Sequence, residues 1–126
     1  RKRPDVNFIT WCGSGPVVAA SAAKTPLFAM LDDFAQLAGR HILCADGTGA
    51  EAVTAALGKR AGVLVPGCGA LCCEKTASDV QAVALVMEKN AYAQVAAALQ
   101  GTPRHLSAFD CFLMRAVYKL SYSKKA

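Results

Sequence analysis

At 126 residues, 54% hydrophobic and 18% charged, the chain suits one compact domain and leaves no room for two. It is too apolar to be disordered, and its greasiest stretch, 61–73, is broken by Pro66, Gly67 and Gly69 well short of the ~18 residues a membrane span needs. The formal charge of +5 belongs wholly to Arg1, Lys2, Arg3, Lys124 and Lys125, and the body between them is neutral. With aromatics at only 7%, neither a nucleic-acid face nor a membrane-binding surface is expected.

Arg1-Lys2-Arg3 is followed by Pro4 and Asp5 and no apolar core, so it is not a signal peptide. The first residue is not Met, which suits a single domain (1–126) truncated from a longer polypeptide. The cysteines, at positions 12, 44, 68, 72, 73 and 111, form no Cys-x-x-Cys pair and no zinc-ribbon spacing. Set mostly in apolar segments, they read as small hydrophobes of a reduced, cytoplasmic protein.

Residues 6–12 are β-branched and aromatic and predict a strand. Ser14 or Gly15 then caps a helix of small residues over 17–23, with Pro16 in its first turn. Phe28, Leu31, Phe34, Ala35 and Ala38 recur at helical spacing, which predicts a second helix over 28–37 ended by Gly39. A strand follows over 41–45. Thr48 with Glu51 has the spacing of a capping box and predicts a helix to about Lys59. Apolar strands over 61–65 and 70–73 flank a turn at 66–69. Thr76, with Asp79 three later, caps a long Ala-rich helix that runs to Leu99 and is stopped by Gly101 and Pro103. Ser107 with Asp110 opens a last helix over 109–120. Strands and helices alternate, so the fold class is α/β or α+β, with helices covering a mixed sheet.

The order of these elements resembles the class II aldolase and adducin head domain family. The resemblance is carried by Arg3-Pro4-Asp5-Val6-Asn7 before a strand and small-residue helix, by 31–39 (LDDFAQLAG) and by the Thr48-Gly49 helix start. It continues through 61–71 (AGVLVPGCGAL) and the long helix from Thr76, and the tail from Met114 to Lys124 is similar too. It implies a largely antiparallel, three-layer sheet-and-helix fold. Members cleave or epimerise sugar phosphates with a zinc ion held by three histidines, two in a His-x-His pair and one before a later glycine. On this chain those positions fall at Trp11, Gly13 and Cys68, and none is histidine. The part of the family domain that carries the catalytic glutamate and the phosphate-cradling loops has no counterpart here.

The resemblance therefore implies an aldolase fold without aldolase chemistry: a non-catalytic structural or binding module with no catalytic residue and no bound zinc. The alternative is a carbon–carbon lyase or isomerase fragment whose other active-site part lies outside this chain. Trp11, Ser14 and Cys68 are the candidates for lining a small-molecule pocket. Core filling is the plainer role for Trp11 and for Cys68, and solvent exposure for His105. Asp32 and Asp33 diverge around a helix and share no proton. Tyr118 and Tyr122 are similar to tyrosines that some members lend to a neighbouring subunit; packing is the plainer role. By the same resemblance the chain is expected to form a homo-oligomer, a tetramer, or to join a partner chain.

Overall fold

A computed structural model describes residues 3–100 and 115–116. Strand β1 (Phe8–Cys12) leads into helix α1 (Gly15–Ala22), followed by β2 (Leu27–Phe28), α2 (Asp32–Ala38) and β3 (His41–Ile42). Helix α3 (Ala50–Leu57), strands β4 (Gly62–Val65) and β5 (Gly69–Glu74) and helix α4 (Ala77–Gln100) complete the order. This is a mixed α/β fold with antiparallel sheets, as the sequence leads one to expect.

The main sheet runs β1-β5-β4, both pairs antiparallel, and β2 and β3 form a two-stranded ribbon beside it. Residues 43–45 run alongside the outer edge of β4, with Leu64 N–H bonded to the Leu43 carbonyl and Ala45 N–H to that of Leu64. One edge of the sheet is thus closed. Among the described residues the other edge is β1.

Strand alternation sorts the side chains onto two faces. Cys12, Ala70, Cys72 and Leu64 share one face and pack with Val17 of α1 and Val80, Val83 and Met87 of α4, forming the core. Ile9, Trp11, Leu71, Cys73 and Val63 share the other face. There α3 packs against β4 and leaves the β1 side uncovered.

Two fully buried polar side chains tie the layers together. Ser21 Oγ donates to the Val18 carbonyl (2.7 Å) and accepts from Gly69 N–H (3.1 Å), joining α1 to the start of β5. Asn90 of α4 accepts from Met30 and Leu31 N–H (2.8 and 3.2 Å) and donates to the Phe28 carbonyl (2.7 Å). One turn later Gln94 accepts from Phe28 N–H (2.9 Å) and donates to the Pro26 carbonyl (3.0 Å). The outer side of β2 is therefore bonded to α4 rather than to another strand.

Three expectations need correction. Residues 28–30 are not helical: Phe28 pairs with His41 in the ribbon and α2 begins at Asp32. The strand over 41–45 is divided, its first two residues pairing with β2 and the rest running beside β4. Thr48 does not cap α3; Gly49 is the N-cap and no side chain caps it. By contrast Thr76 does accept from Asp79 N–H (3.1 Å). The helix expected over 109–120 lies outside the described residues except for Arg115 and Ala116, which are helical; the Arg115 guanidinium donates to the Gln36 and Leu37 carbonyls at the end of α2. His105, Tyr118 and Tyr122 lie outside them as well. Among the described residues no helix is long and apolar enough to cross a membrane.

The β2–β3 ribbon carries a pH dependence. The His41 ring accepts at Nε2 from Arg60 Nη2 at 3.3 Å in the neutral tautomer this contact requires. Burial, then the charges of Arg60 and Arg40, hold His41 below its ordinary value of 6.5. As pH falls through about 6.5 the unfolded chain takes up a proton that the folded chain refuses, so stability declines until the lowered folded value is passed. Urea denaturation from pH 7.5 to 5 is expected to show this decline, and His41→Gln to flatten part of it.

Candidate functional site

The ends of β1 and β4 and the start of β5 meet at one corner. Val65, Pro66, Gly67 and Cys68 form a turn closed by Cys68 N–H to the Val65 carbonyl (2.9 Å), with Gly67 at φ 73° after the proline, as a type II turn requires. Gly69 follows at φ 113° and lies so close to β1 that a Cβ built on it would collide with the Cys12 carbonyl oxygen and stand 3.4 Å from Gly13 Cα. The register sets Ala70 opposite Cys12. The turn bearing Cys68 and the β1 end bearing Trp11 and Gly13, far apart in sequence, therefore share this corner.

Each residue there has a distinct environment. Trp11 is 50% exposed and fills no core, contrary to the plainer expectation, because its face of the sheet is uncovered at β1. Cys68 is exposed at the turn and fills no pocket either. Gly13 needs no special backbone: its φ is not positive, and nothing stands closer to a Cβ there than the Trp11 indole at 3.8 Å. Ser14 is the N-cap of α1 but makes no capping bond, and its buried Oγ has no partner among the described residues. As donors, this set offers one thiol sulfur and one hydroxyl. Among the described residues no group of three or more His, Cys, Asp or Glu side chains is placed to hold a metal ion.

The profile of the family described as class II aldolase and adducin N-terminal domain matches residues 1–95. The chain belongs to this family. Among solved structures, an L-fuculose 1-phosphate aldolase superposes with a TM-score of 0.88 at 21% identity, over 94% of this chain and 58% of that one. At that identity the likeness speaks for the fold, and this class II aldolase-like chain spans little more than half of the aldolase's length. No curated protein sequence gives a significant match.

A concavity without a sequence signal lies elsewhere on the described residues. A groove of about 890 Å³ lies between β1 and α3, its apolar surface including Val6, Ile9, Leu57 and Leu71. Arg3 closes one end. Its guanidinium pairs with Asp5 (2.6 and 3.1 Å) and donates to the Arg60 and Gly58 carbonyls (2.6 and 3.3 Å) beyond the end of α3. That bonding holds the Asp5 carboxyl below the usual carboxylate range. Trp11, Ser14 and Cys68 are not among the groove's lining residues. An uncovered sheet face depends on which strands are present, a property with no local sequence signal.

The described cysteines are free, and their exposure ranks their reactivity. Cys72 is buried and its thiol is pushed up to about 12 by burial and, secondarily, by Cys12 and Cys73. Cys73 is also raised by burial. Iodoacetamide at neutral pH is therefore expected to modify Cys68 in the native protein and to reach Cys12, Cys72 and Cys73 only after denaturation, as peptide mass mapping would show.

Proposed function

We propose that this chain is a non-catalytic member of the class II aldolase and adducin family: a module that holds no zinc at the family position and acts by binding, to copies of itself or to a partner chain. The observation that carries this reading is the donor set at the β1–β5 corner. Zinc in a protein site takes three or four N, S or O ligands at about 2.0–2.3 Å. Trp11 offers no lone pair suited to zinc, Gly13 has no side chain, and the thiol of Cys68 alone is too few. The residues present do not fit the metal. The free, mostly buried thiols support a reducing, cytoplasmic setting.

The test is metal content together with restoration. Protein purified without chelator is expected to carry far less than one zinc per chain and to leave sugar phosphates uncleaved. The triple variant Trp11→His, Gly13→His, Cys68→His is expected to gain stoichiometric zinc, since Gly13 has room for a side chain and its corner also holds the other two positions. Stoichiometric zinc in the natural protein, or turnover of a sugar phosphate, would overturn the reading. A second reading is favoured by one fact, that the chain spans 58% of the aldolase it superposes on. In that reading the remaining active-site part lies on other polypeptide, and turnover would appear once that part is supplied.

A further inference from the structure

We draw no further inference here: the strongest candidate, the apolar groove between β1 and α3 with Ile9, Leu57 and Leu71 on its walls and Arg3 at one end, carries nothing because nothing in the structure shows what covers it.

Discussion

Gly69→Ala is expected to lower stability by about 3 kcal/mol or more and to leave little native protein at 37 °C. Two costs coincide at this residue. Its φ of 113° lies where side chains rarely go, and a Cβ there would run into the Cys12 carbonyl oxygen, a backbone atom that cannot swing aside. Relief would require β1 and β5 to separate where Cys12 faces Ala70, and would pull Gly69 N–H away from Ser21 Oγ. Gly67 provides the control. Its φ is 73° but nothing stands within 4 Å of a Cβ there, so Gly67→Ala should cost only the backbone term of about 1–2 kcal/mol. Urea denaturation of both variants decides the matter: equal, small losses would mean that the β1–β5 approach is looser than described.

Asn90→Ala is expected to cost about 3–5 kcal/mol, the range reached when a buried hydrogen-bond network is broken. Asn90 is fully buried, and its amide serves two N–H donors and one carbonyl of 28–31. Removing it leaves those groups without a protein partner in an apolar setting. Gln94 makes two comparable bonds from a half-buried position, so Gln94→Ala should cost about 1–2 kcal/mol. A loss below about 1 kcal/mol for Asn90→Ala would show that water replaces the amide there, and that α4 does not hold the ribbon in the manner described.

The difference between what the sequence revealed and what it concealed follows the range of the interactions. The turn at Pro66-Gly67, the Thr76 cap and the fully apolar β4 are set by neighbours a few residues apart, and each lies where the pattern placed it. The spacing of Phe28 to Leu31 and Phe34 is helical, yet Phe28 is a strand residue. What decides its conformation is the carbonyl and amide bonding to Asn90 and Gln94, more than 60 residues away. The Thr48–Glu51 spacing failed for a smaller reason: the chain stays extended through Gly49, so Thr48 falls one residue short of the N-cap. At the site, the residues at positions 11, 13 and 68 were legible because the family motif numbers them. Their exposure was not legible, since it depends on which strands flank β1 and on where α3 lies.

The bonding of Asn90 and Gln94 to 26–31 also sets an order of events during synthesis. The α2 and β2 region emerges from the ribosome early, yet the groups that satisfy its backbone are carried on α4 and emerge about 60 residues later. Until then the amides of Phe28, Met30 and Leu31 lack the side-chain acceptors they have in the folded chain. The middle of the nascent chain must wait for its last long helix. A ribosome stalled before Asn90 would hold a polypeptide whose first third is sensitive to protease, and one stalled well beyond Gln94 would hold it protected.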